Sequence, residues 1–190
     1  MIDAALAKRI TVVGFDVDGV LTDGGVYQGL VADHPAELKR FHVPDGLGLK
    51  MLQWAGLGVV IVSGRVSEAT TMRARELGLA DVIQDDGAQK LPALARWMGA
   101  RGLTFDRCAF VGDDLPDLPV LKRVALPIAV RNACPEVRAV ARVITHAEGG
   151  RGAAREVAEL ILRARGDWDR LVEAYLTERG DVAERPTETR

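Results

Sequence analysis

A chain of 190 residues, 48% apolar and 27% charged, is long enough to bury a core and reads as one domain. A formal net charge of −2 gives no sign of a nucleic-acid or membrane-surface partner, and no apolar run approaches the length of a membrane span. Two cysteines far apart, Cys108 and Cys134, make no disulfide framework, and the start MIDAALAKRI lacks the apolar segment of a signal peptide; both readings point to reduced thiols and a cytoplasmic protein.

Residues 1–9 read as a short helical or frayed lead-in. Ile10 to Phe15 is a β-branched apolar run that predicts a buried strand, and it ends in Asp16-Val17-Asp18-Gly19. A hairpin is expected over roughly 25–42, where alternating flanks enclose Gly, Asp and Pro. Two strands alone are marginal in water, so the exposed apolar residues Val26, Tyr27, Leu30 and Val31 call for another surface, an intersubunit contact. Asp45-Gly46 opens a helix that carries Leu47, Leu49, Leu52 and Trp54 and stops at Ala55. Val59 to Val62 is a second buried strand, finishing at Ser63-Gly64-Arg65. Ser67 caps the next helix, and Gly78 ends it.

Val82-Ile83-Gln84 is a short third strand, followed by a helix from Lys90 to Met98. Cys108 to Val111 is a fourth strand that runs into Gly112-Asp113-Asp114. Leu118 to Arg123 continues as a helix, with Pro116 tolerable only in its first turn. Leu126 to Val130 is a fifth strand, Pro135 opens another helix, and Val143-Ile144-Thr145 fits a short edge strand. A helix from about Gly152 to Arg165 shows Val157, Leu160 and Ile161 on one face, a second spans Trp168 to Leu176, and residues from Gly180 on read as disordered. Strands alternating with helices predict an α/β fold, a central parallel sheet with helices on both faces.

Four signals fall at strand ends or helix starts: Asp16 and Asp18, then Ser63, then Lys90, then Asp113, Asp114 and Asp117. Taken singly, each has a plain reading as an acidic turn, a cap, a solvated lysine or a loop. Their joint order at the carboxyl ends of successive strands, where open α/β sheets place ligands, points to a catalytic site. Two acids separated by one residue repel each other; a hard divalent cation such as Mg²⁺ resolves that with oxygen ligands. Gly19 lets the chain turn off the strand. The three histidines, His34, His42 and His146, lack metal-ligand spacing; His42 reads as a hairpin residue and His146 as a loop residue. Trp54 and Trp97 read as core residues, and Trp168, in the tail, as one that could pack on another subunit.

The string Asp16-Val17-Asp18-Gly19-Val20-Leu21-Thr22-Asp23, with Ser63, Lys90 and Gly112-Asp113-Asp114 behind it, resembles the four motifs of the haloacid-dehalogenase superfamily over roughly residues 10–165. The resemblance implies a Rossmann-like fold in which Asp16 is the nucleophile that forms an aspartyl-phosphate and Asp18 is the general acid and base. It implies Mg²⁺ held by the Asp16 carboxylate, the Asp18 backbone carbonyl and Asp113, with Asp114 and Asp117 behind them. Ser63 and Lys90 would bind phosphoryl oxygens. The gaps that usually hold a cap domain, 19–62 and 64–89, leave room only for the hairpin and single helices.

Phe41-His42-Val43-Pro44-Asp45-Gly46-Leu47-Gly48, Arg73-Ala74-Arg75-Glu76-Leu77-Gly78 and Gly149-Gly150-Arg151-Gly152-Ala153-Ala154-Arg155-Glu156 narrow the resemblance to the capless family of 3-deoxy-D-manno-octulosonate 8-phosphate (KDO 8-phosphate) phosphatases. That family implies a homotetramer built through the hairpins, a role in making the lipopolysaccharide inner core, and a sugar-acid phosphate bound with help from Gly64, Arg65, Arg73 and Arg151, the arginines suited to a carboxylate. Three departures bear on substrate: Pro44 where relatives commonly carry Arg, the acidic Asp85-Asp86-Gly87 before Lys90, and a segment lengthened at Ala147-Glu148. Alternatives are the same chemistry on a nine-carbon keto-sugar-acid 9-phosphate or an aryl phosphate, or a non-catalytic subunit of the same fold. The expected organisation is a single phosphatase domain over 1–180 with a tail from about 165 and disorder over 181–190.

Overall fold

A computed structural model describes residues 2–180. The disorder expected beyond Gly180 falls on residues 181–190, which lie outside that range.

After helix α1 (Ala4–Arg9), strand β1 (Val12–Phe15) runs through the centre of the molecule. Strands β2 (Tyr27–Val31) and β3 (His34–Leu38) pair antiparallel as the separate hairpin, Tyr27 opposite Leu38 and Val31 opposite His34. The chain then alternates: α2 (Val43–Trp54), β4 (Gly58–Ser63), α3 (Glu68–Leu77), β5 (Asp81–Gln84), α4 (Lys90–Gly99) and β6 (Cys108–Gly112). It continues with α5 (Leu118–Leu121), β7 (Leu126–Ala129), α6 (Pro135–Val140), β8 (Val143–Ile144), α7 (Ala153–Arg165) and α8 (Trp168–Glu178).

The main sheet has the order β5-β4-β1-β6-β7-β8, parallel throughout. From β1 the chain builds outward to β5 on one side, then crosses back to β6 on the other. β1 and β6 therefore flank the point where the winding reverses, the place where such sheets leave a crevice for ligands. Strand β1 is buried on both faces because helices cover both: α2 packs along α7 on one side, and α4, α5 and α6 contact one another and the strands on the other. Gly14 is required inside β1, since a Cβ there would lie 2.6 Å from the Phe110 ring of the neighbouring strand.

The expected elements are present, with shifts at their ends. Helix α2 starts at Val43 rather than Asp45, because Pro44 is accommodated in a first turn that needs no donor. The helix expected over 118–123 is a single turn of α5, preceded by a tight turn at Leu115–Asp117 that takes up Pro116. Two tryptophans depart from expectation. Trp54 is 44% exposed and stacks at 5.8 Å on Tyr175 of α8 instead of entering the core. Trp168 is buried within its own chain, with the Arg155 and Arg163 guanidiniums each 5.0 Å from its ring. His42 lies past the hairpin, at the start of α2, with Nδ1 3.3 Å from Asp45.

Candidate active site

Three strands of the main sheet end side by side, and each delivers one part of the site. At the end of β1 the Asp16 amide donates to the Val111 carbonyl of β6 (3.0 Å), so the residue is fixed by the last rung of the sheet. The chain then makes one wide turn, closed by the Thr22 amide on the Val17 carbonyl at 3.0 Å, with Gly19 at φ +96°. That turn swings Asp18 out to the rim. A side chain on Gly19 would collide with the Asp113 carboxylate, so glycine is needed for space as well as for the left-handed backbone. At the end of β4, buried Ser63 accepts the Arg65 amide on its hydroxyl at 3.1 Å. At the end of β6, Asp113 stands beside Asp16, and its carbonyl accepts from the Cys134 amide (2.8 Å).

Lys90 comes from the start of α4, a position at odds with the helix dipole. Its ammonium is placed there by two carboxylates: Nζ lies 2.5 Å from Asp16 and 2.7 Å from Asp117, with all three side chains buried. The second oxygen of Asp117 accepts the backbone amides of Asp113 (3.0 Å) and Asp114 (3.4 Å). Asp117 thus braces the β6 loop and Lys90 together. Asp114 is exposed and caps the turn after it through Leu115 N–H, 2.8 Å away.

The electrostatics follow from this crowding. Burial pushes the Asp16 carboxyl well above its usual range; the Asp117 charge adds to the push and Lys90 opposes it. Asp113 is raised to about 6, by burial first and by Asp117 second. Burial works against the Lys90 charge, but Asp16 and then Asp117 outweigh it and hold its pKa above the ordinary value. Oxygens of Asp16, Asp113 and Asp117 lie within 4.8 Å of one another. Two raised carboxyls with spare lone pairs at one point fit a hard divalent cation bound through oxygen. Asp117 has its oxygens engaged by Lys90 and two amides, which leaves Asp16 and Asp113 the freer donors.

Above these groups lies a cavity of about 240 Å³, bounded by Asp16, Asp18, Ser63, Lys90 and Asp113 and also by Gly64, Arg65, Asp114 and Asp117. The structure therefore gathers most of the residues singled out from sequence. It does not bring Arg73 or Arg151 to this cavity. Arg73 pairs with Glu76 at 2.8 Å, stacks 5.8 Å from the Phe41 ring and lines a second cavity of about 690 Å³ between the hairpin and α3. Arg151 is 62% exposed, with Glu148 3.9 Å away as its ion-pair partner. Asp85 and Asp86 do not line the carboxylate cavity either: Asp85 turns back to accept the Gly87 amide at 2.9 Å, and Asp86 faces solvent.

Three residues of the site, Glu37, Lys39 and Asp45, are not among those that the sequence patterns single out. The Lys39 ammonium reaches both oxygens of Asp18, at 2.8 and 3.0 Å. Glu37 accepts from the Ser67 hydroxyl at 2.6 Å and from Arg65 at 2.7 Å, so it ties the hairpin to the loop after β4. Glu37 and Lys39, two residues apart, emerge on the same side and lie 3.6 Å from each other, but nothing local ties either to its partner. Asp45 accepts the amides of Gly152 (3.1 Å) and Arg155 (2.8 Å), capping α7 from far along the chain. The glycines before α7 pack on the turn after β1: a Cβ on Gly149 would lie 1.7 Å from the Gly19 carbonyl, and the Gly150 amide donates to Val20 O at 2.9 Å.

Comparison with known proteins agrees with this geometry. A family model described as haloacid dehalogenase-like hydrolase matches residues 71–156. The chain is 38% identical over 163 residues to the 3-deoxy-D-manno-octulosonate 8-phosphate phosphatase KdsC of Salmonella typhi, covering 86% of this chain and 85% of that protein. It is 38% identical over 165 residues to KdsC of Escherichia coli K12, covering 87% and 86%. Among solved structures, the Moraxella catarrhalis 3-deoxy-D-manno-octulosonate 8-phosphate phosphatase, in complex with magnesium ion, phosphate ion and KDO, superposes with a TM-score of 0.84 at 40% identity, covering 90% of this chain and 97% of that one. The cobalt-bound Haemophilus influenzae phosphatase gives 0.79 at 35% identity over 88% and 99%. With that identity over most of both chains, and with the four strand-end motifs assembled around one cavity, the chain belongs to the 3-deoxy-D-manno-octulosonate 8-phosphate phosphatase family of haloacid dehalogenase-like hydrolases, phosphoric monoester hydrolases.

Proposed function

We propose that this protein hydrolyses KDO 8-phosphate to KDO and phosphate, with Mg²⁺, in making the lipopolysaccharide inner core. The observation that carries the reading is the grouping of buried Asp16 and Lys90 with partly buried Asp113 under an open cavity, with Asp18 on its rim. Asp16 attacks phosphorus and becomes the aspartyl-phosphate; Asp18 gives its proton to the departing sugar oxygen, and later takes one from water. An anionic nucleophile must approach an anionic ester, so positive charge is required where the phosphoryl oxygens come to lie. Lys90 supplies one charge, the Ser63 hydroxyl and the Gly64 backbone supply donors, and Mg²⁺, when bound, would supply further positive charge against the transferring group. Asp16 and Asp113 are the side chains that would hold the ion, with the Asp18 carbonyl; Asp114 and Asp117 stand behind them.

Arg65, on the cavity wall, is the cation in place for a substrate carboxylate. Arg73 and Arg151 lie outside the cavity of this single chain, so any contact they make with substrate would need a neighbouring subunit or a substrate that spans both cavities. The acids at 85 and 86 are turned from the site, so they do not oppose the binding of an anionic sugar phosphate there.

We read residues 1–180 as one catalytic domain that assembles as a homotetramer through the hairpin. Tyr27, Leu30, Val31 and Leu38 support this, each about seven-tenths exposed (68–71%) on a two-stranded ribbon with no layer over it. No helix among the described residues is long and apolar enough to cross a membrane, and Cys108 and Cys134 are free thiols; we place the protein in the cytoplasm on these features.

The deciding experiment is Mg²⁺-dependent phosphate release, as kcat/KM, from KDO 8-phosphate beside a nine-carbon keto-sugar-acid 9-phosphate, phenyl phosphate and hexose phosphates. A clear preference for KDO 8-phosphate is expected. Weak, even turnover across the panel would overturn the substrate, and none at all would overturn the chemistry.

A further inference from the structure

The hairpin is exposed along most of its length, yet the residue that follows its second strand, Lys39, has a side chain that is fully buried, at 0% exposure. Lysine is rarely buried unless its charge is matched. Here the match is Asp18, with Nζ 2.8 and 3.0 Å from its two oxygens, while Glu37 stands 3.6 Å away. The path of the strand into the site is held on both sides. Glu37 accepts from Ser67 and Arg65 on one. Arg40 donates to Asp23 at 2.8 Å and to the Gly150 carbonyl at 2.9 Å on the other, and Thr22 pairs with Phe41 just beyond. A hairpin serving assembly alone has no use for an ammonium directed inward between these anchors.

Resting on the phosphatase reading above, we infer that Lys39 is a positioning residue: it holds the ionised Asp18 carboxylate in the orientation that accepts the proton of the water attacking the aspartyl-phosphate. In that step water oxygen bonds to phosphorus, its proton passes to Asp18, and the bond from phosphorus to the Asp16 oxygen breaks, leaving the Asp16 carboxylate and hydrogen phosphate. The ammonium hydrogen-bonds one Asp18 oxygen at 3.0 Å and lies 2.8 Å from the other as an ion pair, which sets where the carboxylate points, and Arg65, 4.0 Å from Asp18, is too distant to do so alone. Misplacement by about 1 Å can cost roughly 100-fold in rate. The insertion that replaces a cap therefore completes the chemistry as well as the surface.

The test is Lys39→Met, which keeps the stem and removes the donor, in the full chain with Mg²⁺ and saturating KDO 8-phosphate. Expected are a fall in kcat of roughly 10- to 100-fold, a KM that falls in step with it because the slowed step follows phosphoenzyme formation, and an acid-quenched phosphoenzyme fraction at least as high as wild type, because breakdown is the slowed step. Lys39→Arg, which restores a cationic donor, recovers most of kcat. A kcat within twofold of wild type overturns the inference, as does a fall in kcat with a smaller phosphoenzyme fraction, the mark of general damage. If Lys39→Met does not fold, Lys39→Gln replaces it, and its kcat and phosphoenzyme fraction decide by the same thresholds. Wild-type protein that yields neither phosphate nor phosphoenzyme overturns the phosphatase reading instead.

Discussion

Asp16 is the residue on which the buried charges of the cavity converge, and its surroundings make a specific demand on substitution. Replacing it by Asn keeps volume and removes charge. The Lys90 pair loses one partner but retains Asp117, so the protein is expected to fold. Turnover should drop by more than about 10³-fold, since no ester can form at an amide. Mg²⁺ should bind more weakly by calorimetry; wild-type turnover in Asp16→Asn would remove the nucleophile assignment. Gly149 makes a different demand, through space alone. With a Cβ 1.7 Å from the Gly19 carbonyl, Gly149→Ala must push the segment before α7 off the turn that carries Asp18. A loss of about 1–3 kcal/mol in urea unfolding is expected, with a fall in kcat; unchanged stability would mean the contact is not held in solution. Asp16, Asp18, Ser63, Lys90 and Asp113 can be read from the chain because each ends a strand or opens a helix, and local pattern reveals such positions. Lys39 and Asp45 cannot, because their partners lie 21 and more than 100 residues away and no local rule links them. The Gly149-Gly150-Arg151-Gly152 run draws attention to its arginine, whereas the structure uses the glycines, for close backbone approach.

At the scale of elements, the hairpin and α7 have roles that their patterns only half disclose. Alternation and turn residues locate the hairpin, and the number of apolar residues on it foretells exposure. What alternation leaves open is where a two-stranded ribbon leans, because that is settled by Glu37, Lys39 and Arg40 finding partners in the loops after β4 and β1 and in the segment before α7. Replacing residues 26–38 by a short flexible linker separates the two roles. Light scattering should show a mass below the tetramer, while the melting temperature of the remaining domain changes little, since the ribbon contributes no residue to the buried core. A tetramer that survives the deletion would sink the assembly role. Helix α7 is legible from its apolar stripe, but its N-terminal cap is not, because Gly152 precedes it and offers no side chain. Asp45 takes that place. Asp45→Ala should cost about 1–2 kcal/mol, the usual worth of such a cap, and loosen the loop that packs on the Asp18 turn. A variant as stable as wild type in urea would show that the cap is not held.

Across the whole molecule, an apolar sheet core supports a rim that is under electrostatic stress until a ligand relieves it. Phe15, Ile61, Phe110 and Ile128 fill the interior, and immediately above them buried Asp16 and Asp117 share one lysine, with partly buried Asp113 crowded beside them. This arrangement is unfavourable for stability in the metal-free protein and suited to function, the usual trade at an active site. Its pH dependence has a definite sign. The Asp113 carboxyl titrates near 3.8 in an unperturbed chain and at about 6 in the folded one, and Asp16 is shifted the same way. Between those pH values the folded state keeps a proton that the unfolded state has released, so its contribution is fully present below the lower value and is lost as pH rises through the upper one. Asp113→Asn removes that contribution. In metal-free protein the variant should melt about 2–4 °C above wild type near pH 8, and the gap should close toward pH 4. Adding Mg²⁺ reverses the order, because a ligand that binds only the folded state raises the melting temperature of wild type, whereas the variant has lost a ligating oxygen. A gap of equal size at both pH values would show that Asp113 is not strained in the folded state; equal stabilisation of both proteins by Mg²⁺ would show that the ion is held elsewhere.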